Sequence, residues 1–454
     1  MVEGSKETLA NDHHGWLNAI AWKLQRKMVE LSNNTTKVGK DDPRRIVHSL
    51  KLGLAITIVS LFFYFEPLYD GLGTSSIWAI ITVVVVFEFS VGATLGKGMN
   101  RAIATLIAGA IGFGAHYITS FTGNIWHPIL LGILIYTISA TASYCRFFPN
   151  LKAKYDYGLL IFILTFNMVA LSGFRDDEIL KLAWHRLANI LVGAFIAVAI
   201  CIFVRPVWAG ADLHQLVATN IENLGTFLEG FGIENFGACQ GEMVGGGSVM
   251  KYRSVLCSKQ NEEALAYQAT WEPPHGKFRL CHPWKQYRKI GTLSRDCAYC
   301  FEILNRHLNT NQIQLPLEIQ RQYQEQCVQV CIESSKALKA MAMALRDIVP
   351  PALAKSHIEI AKKTAGELKL LIASSHFHGD MNMVSTTTLI LLLIDSFSCV
   401  EKIVDSIHEL VSLARMNTAL QKSNITPTEQ KGSGDKASSQ PHHIVTIAQS
   451  QFAE

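Results

Sequence analysis

Charge is what this chain lacks, and it lacks it unevenly. Only 17% of the 454 residues are Asp, Glu, Lys or Arg, against about a quarter in ordinary soluble domains. The deficit is concentrated between Leu52 and Val204, and charge is ordinary from Arg205 onward. That shift divides the chain into a membrane part and a soluble part. Other absences narrow the function. There is no nucleotide-binding glycine motif, no HExxH, no GxSxG and no cluster of metal ligands, so no catalytic centre, cofactor or metal site is expected. His376 and His378 flank Phe377 and read as a chance pair. The net charge of +4 is too mild to imply a nucleic-acid partner. The first 45 residues carry no apolar core with a cleavage site, so the first apolar segment is expected to act as the targeting signal. No strand alternation stands out. Ten cysteines are scattered, and Cys297-Ala-Tyr-Cys300 and the pair Cys327 and Cys331 read as free thiols in a helical core.

What is present is six long apolar segments. They run His48–Phe65, Thr74–Leu95, Ala102–Thr119, Pro128–Cys145, Tyr157–Gly173 and Ile179–Val204. Each approaches the roughly 20 residues that cross a bilayer as a helix. The connections alternate in charge. Arg44, Arg45 and Lys51 precede or open the first segment, Lys97 and Arg101 lie between the second and third, and Arg146, Lys152 and Lys154 lie between the fourth and fifth. The intervening connections, 66–70, 123–127 and 174–178, are base-poor or acidic. The positive-inside rule then predicts six spans with both termini cytosolic.

The flanking regions complete the expected layout. Residues 1–45 form a cytosolic tail in which Trp16, Ile20, Leu24 and Leu31 predict an amphipathic helix, lying either on a membrane surface or on the soluble domain. Residues 46–208 form the six-span domain. Residues 209–416 form a cytosolic α-helical domain with helical periodicity near 211–232, 286–308, 315–347, 352–373 and 383–415. Residues 233–249 are a glycine-rich loop, and 417–454 form a mostly disordered tail. The fold class is therefore all-α.

Ionisable groups inside spans are the informative ones, because each costs on the order of 3 kcal/mol at the bilayer centre. Arg186 lies seven residues into the sixth segment and shares a face with Asn189 and Gly193, a pattern that suits either a pore wall or a tight helix contact. Arg101 opens the third segment, its face continuing through Thr105, Ala108 and Gly112, with Lys97 one turn earlier. Bases on such walls would replace part of an anion's hydration. Glu88 is expected to pair with Lys97 or Arg101; as an alternative it would serve as a proton-coupling site. Lys152 and Lys154 read as topology determinants that also gather anions at a cytosolic mouth.

Several long stretches resemble the plant aluminium-activated malate transporter family. They are Asp42-Pro-Arg-Arg45, the run from Trp78 through Ser90 into Val91–Arg101, Tyr155-Asp-Tyr-Gly158, Ile161–Phe166, Pro206-Val-Trp-Ala-Gly210, Trp271-Glu-Pro-Pro-His-Gly276 and His282-Pro-Trp-Lys-Gln-Tyr287. The resemblance covers nearly the whole chain in order. It implies a dimeric anion channel passing malate and other anions, with pore bases at Arg101 and Arg186, the two residues reached above from burial cost. It also implies a candidate external cation site at Asp70 and Asp177, although Lys181, one turn after Asp177, puts a base where a responsive site wants an acid and so weighs against aluminium activation. The membrane is expected to be the plasma membrane, with the vacuolar membrane as alternative. Two other functions compete: a carrier coupled to protons through Glu88, His116 or His185, and a membrane-anchored scaffold whose soluble helices bind a partner.

Overall fold

The computed structural model describes residues 4–61, 77–122, 125–172, 179–236, 247–278, 282–311, 317–374 and 381–423. Within them the regular structure is helical, with one isolated antiparallel bridge between His275 and Phe278. Asp70, Asp177, the His376/His378 pair and the chain beyond Ser423 lie outside the described residues. So does the 237–246 stretch, the middle of the expected glycine-rich loop; α8 and α9 hold its two ends.

The first seven helices are α1 (Gly4–Asp41), α2 (Pro43–Leu61), α3 (Ile77–Val86), α4 (Val91–Ser120), α5 (Trp126–Cys145), α6 (Pro149–Ser172) and α7 (Ile179–Phe203). Asp42 divides α1 from α2. Its carboxylate accepts the Arg44 N–H at 3.1 Å, and Pro43 takes the first helical position, where a missing N–H costs nothing. On α1, Trp22, Leu24 and Leu31 are exposed.

Helices α4, α5 and α6 are long and apolar enough to cross a membrane. Two shorter apolar stretches, Ile77–Val86 in α3 and Leu187–Phe203 in α7, accompany them. One expected boundary moves. The second apolar segment does not continue to Leu95: its helix ends at Val86, and a new one starts at Val91. The cause is Ser90, whose side chain accepts the Ala93 N–H at 3.2 Å and caps α4. The Thr94 hydroxyl accepts the Glu88 N–H at 3.0 Å and holds the break. Lys97 and Arg101 therefore lie on successive turns of a 30-residue helix rather than in a connection.

Small residues set the packing, as they do where apolar burial alone cannot drive association. A Cβ on Gly193 of α7 would stand 2.5 Å from the Ala79 carbonyl of α3, so the Asn189–Gly193 face is a tight helix contact here. A Cβ on Gly112 of α4 would stand 2.9 Å from Val169 of α6. The face running from Arg101 through Thr105, Ala108 and Gly112 is buried along its length.

The second half comprises α8 (Ala209–Phe236), α9 (Gly247–Leu256), α10 (Lys259–Ala269), α11 (Trp284–Asn311), α12 (Leu317–Asp347), α13 (Ala352–Ser374) and α14 (Met381–Ser423). Their apolar faces meet in one core, with Ile221, Leu224 and Phe227 of α8, Phe301 of α11, Leu338 of α12 and Ile403 of α14 all buried. The expected helices are all present; α9 and α10 are additions. Cys297, Cys327 and Cys331 are buried free thiols.

Inside this half sits a buried ion pair. Arg295 of α11 bonds Glu262 of α10, whose other carboxylate oxygen accepts from Asn220 at 3.0 Å and Ser258 at 2.7 Å. Gly291 leaves the room for it, since a Cβ there would overlap the carboxylate. Arg295→Ala is expected to destabilise this domain by about 3–5 kcal/mol, because it strands Glu262 as a buried charge. Chemical unfolding of the purified protein checks this, and replacing both partners with apolar residues should cost less.

Candidate functional site

Three elements converge on the base of α4. The cap at Ser90 turns the chain so that Glu88 faces the first turns of α4, and Lys97 pairs with its carboxylate. Lys97 also lies 5.7 Å from the centre of the Tyr157 ring on α6. One turn on, the Arg101 guanidinium donates to the Tyr157 hydroxyl at 3.2 Å. Arg101 is only 3% exposed, and its Nε has no hydrogen-bond partner among the described residues. No carboxylate among them lies within ion-pair distance of it, whereas Lys97 is neutralised by Glu88. Among the described residues the Arg101 guanidinium is thus buried with no acid partner.

Beside it opens a cavity of about 370 Å³, lined by Glu88, Lys97 and Asn100, by Lys152, Lys154 and Tyr157 of α6, and by Tyr267 and Trp271. Asn100 and Tyr267 both donate to the Lys154 carbonyl, at 3.3 and 3.2 Å, which ties the start of α6 to α4 and α10. Lys97, Arg101, Lys152 and Lys154 are therefore gathered at one end of the membrane-capable helices. Arg186 lies in α7, and its side chain is outside the described residues.

Sequence reasoning treated Lys51 only as a topology charge. It is 3% exposed, and its ammonium donates to the Arg205 carbonyl at 2.6 Å. Arg205 has φ 44°, the left-handed region, as the chain turns from α7 into Pro206. The only sequence signal for Lys51 was a base inside the first apolar segment.

A second constellation joins the two halves. Glu272 is 1% exposed, and its carboxylate accepts the N–H groups of Ala209 at 2.5 Å and Gly210 at 3.0 Å. It thereby caps α8, where a carboxylate meets the positive end of the helix. The same segment lies against the first turn of α4: a Cβ on Gly92 would overlap the Gln268 carbonyl, and one on Gly96 would stand 3.0 Å from the Trp271 ring. Ser90 donates to the Gln268 side chain at 2.9 Å, and Val91 N–H to the Val207 carbonyl at 2.9 Å. The Trp271-Glu272 motif therefore clamps the start of α4 to the start of α8.

Histidines surround the clamp. The His275 ring stacks on Trp208 with centres 3.8 Å apart. The Tyr287 hydroxyl sits between His214 Nδ1 at 2.8 Å and His282 Nε2 at 3.2 Å. Burial pushes His214 below its ordinary value. Burial, with His214 and His275 nearby, pushes His282 down to about 4. Both are lower than in the unfolded chain, so the stability they carry is complete above about pH 6.5 and is lost as pH falls toward 4. A fall from 6.5 to about 4 in His282 corresponds to roughly 3 kcal/mol. The thermal unfolding temperature is expected to fall between pH 7 and 5, and to fall less in His282→Asn.

The model of the family described as "Aluminium activated malate transporter" matches residues 36–379. The chain is 44% identical over 430 residues to "Aluminum-activated malate transporter 2" of Arabidopsis thaliana, covering 93% of this chain and 85% of that protein. It is 42% identical to "Aluminum-activated malate transporter 1" of the same plant, covering 93% and 88%. To "Aluminum-activated malate transporter 1" of Triticum aestivum it is 39% identical, covering 90% and 91%. With a match across most of its length and relatives at these identities, this membrane protein belongs to the aluminium-activated malate transporter family.

Proposed function

We propose that the chain is an anion channel that passes malate, and inorganic anions beside it, across the plasma membrane of a plant cell. Each subunit of a homodimer would contribute six spans, with both termini and the helical half on the cytosolic side. The observation that carries this reading is Arg101: a buried guanidinium with no carboxylate partner among the described residues. A passing carboxylate supplies the missing counter-charge and exchanges its hydration for the guanidinium and the Tyr157 hydroxyl. Lys152 and Lys154 at the cavity beside it raise the local anion concentration. Arg186 on α7 would extend the basic path. The relatives' names and the alternation of charge along the connections support the same reading, and membership of a transporter family agrees with the expectation that the chain is no enzyme.

The carrier reading depends on a group that is free to exchange protons: Glu88, His116 or His185. Glu88 is held by Lys97, which suits a structural role. Voltage-clamp recording on cells expressing the chain separates the two. A channel gives currents that reverse at the anion equilibrium potential and persist when pH is clamped equal on both sides. Accumulation of malate against its gradient, abolished by that clamp, would establish the carrier. Adding aluminium to the bath tests Asp70 and Asp177. With Lys181 one turn from Asp177, little activation is expected.

A further inference from the structure

A pair of thiols in the helical half has no part in the anion path. Cys300 on α11 and Cys399 on α14 place their sulfurs 3.7 Å apart. Both are half-buried free thiols, unlike Cys297, Cys327 and Cys331, which are enclosed. Their helices are already held in register: Gln286 of α11 donates to the Ser406 carbonyl of α14 at 3.1 Å, and Lys289 pairs with Glu409 at 2.8 Å. The approach of the two sulfurs is thus fixed by helix packing.

We propose that Cys300 and Cys399 form a reversible redox dithiol, a modification site at which oxidation ties α11 covalently to α14. A disulfide bond is about 2 Å long, so closure needs each sulfur to move by roughly 1 Å, within reach of a side-chain rotation. The two thiols differ in character. The hydrogen bond shared with Cys300, helped by Lys402, holds the Cys399 thiol down to about 7 against burial and the charges of Asp296 and Asp395. Burial and the shared proton push Cys300 up. Cys399 is therefore the attacking sulfur and Cys300 the resolving one.

The co-reactant is a low-molecular-weight disulfide. The Cys399 thiolate attacks one of its sulfurs and expels the first thiolate. The Cys300 sulfur then attacks Cys399, expels the second thiolate, and gives up its proton to the medium. Two protein thiols and one small disulfide become one protein disulfide and two small thiols, and excess thiol reverses the exchange. The proposal uses the functional reading only in placing this half in the cytosol, where disulfides are transient and regulatory. It does not depend on which anion passes. Trp284, at the start of α11, lies against Gly210 at the clamp, so the tie stiffens the helix that touches the junction.

The full-length protein in detergent or nanodiscs is titrated with oxidised glutathione, and its thiols are alkylated and mapped by mass spectrometry. The wild type is expected to lose two of its ten thiols as a single Cys300–Cys399 cross-link, recovered with dithiothreitol. Cys300→Ser should retain glutathione on Cys399, whereas Cys399→Ser should leave Cys300 unmodified at the same ratio. Both variants should unfold at the wild-type temperature. No cross-link in the wild type, a cross-link through Cys297 instead, or equal glutathione uptake by Cys300 in Cys399→Ser would each overturn the assignment.

Discussion

Arg101→Ala is expected to reduce the anion current by roughly tenfold or more at unchanged surface expression. The argument is electrostatic. Arg101 is buried, donates to Tyr157, and has no carboxylate partner among the described residues, and on the proposed path a passing anion would supply that partner. Each ~1.4 kcal/mol removed from that interaction is a tenfold change, and hydrogen bonds to charged groups are worth about 1.5–3 kcal/mol. Arg101→Lys keeps the charge but loses the planar donor array, and should fall between wild type and alanine. Lys97→Ala should have a smaller effect on conduction, because Glu88 already neutralises that ammonium. Its cost would appear in stability, through an acid left without its base.

Glu272→Ala is expected to separate the two halves and to destabilise the protein on the order of 4 kcal/mol. The Ala209 and Gly210 N–H groups lose their acceptor while remaining buried, and an orphaned buried donor costs about 1–3 kcal/mol. The lost charge at the α8 N-terminus adds to this. Gly92→Ala tests the same clamp from the other side, because the new methyl group would overlap the Gln268 carbonyl and crowd the Glu272 side chain at 2.9 Å while leaving the acid in place. Both variants should lower the thermal unfolding temperature. If Glu272→Ala unfolds as the wild type does, the clamp is not what holds α4 to α8.

Local signals were legible in the sequence; distant ones were not. Asp42 and Pro43 start α2 ahead of the apolar run read from His48, because an N-cap and a first-turn proline act within three residues. Glu88 finds its expected base nine positions on, where the turn at Ser90 brings Lys97 back beside it. The break itself was hidden: Ser90 is one polar residue in a run that hydropathy reads as continuous. Helix α10 escaped because Lys-Gln-Asn-Glu-Glu at 259–263 shows no apolar stripe. Lys51 was counted for topology, since a base near a span end is ordinary until its burial is seen. The motif around Trp271 and Glu272 stood out as a pattern, but its task did not, because its partners Ala209, Gly210 and Gly92 lie far away in the chain.

The central claim is that Arg101 lines the path an anion takes, and charge restoration tests it most directly. Arg101→Cys would be expressed, its reduced current recorded, and the new thiol modified with either a positively charged or a negatively charged methanethiosulfonate reagent. The native cysteines are controlled by treating the wild type alongside. If the account is right, the cationic reagent restores current, the anionic one does not, and malate slows the reaction of both. Equal effects of the two reagents, or modification that malate leaves unchanged, would place Arg101 off the anion path.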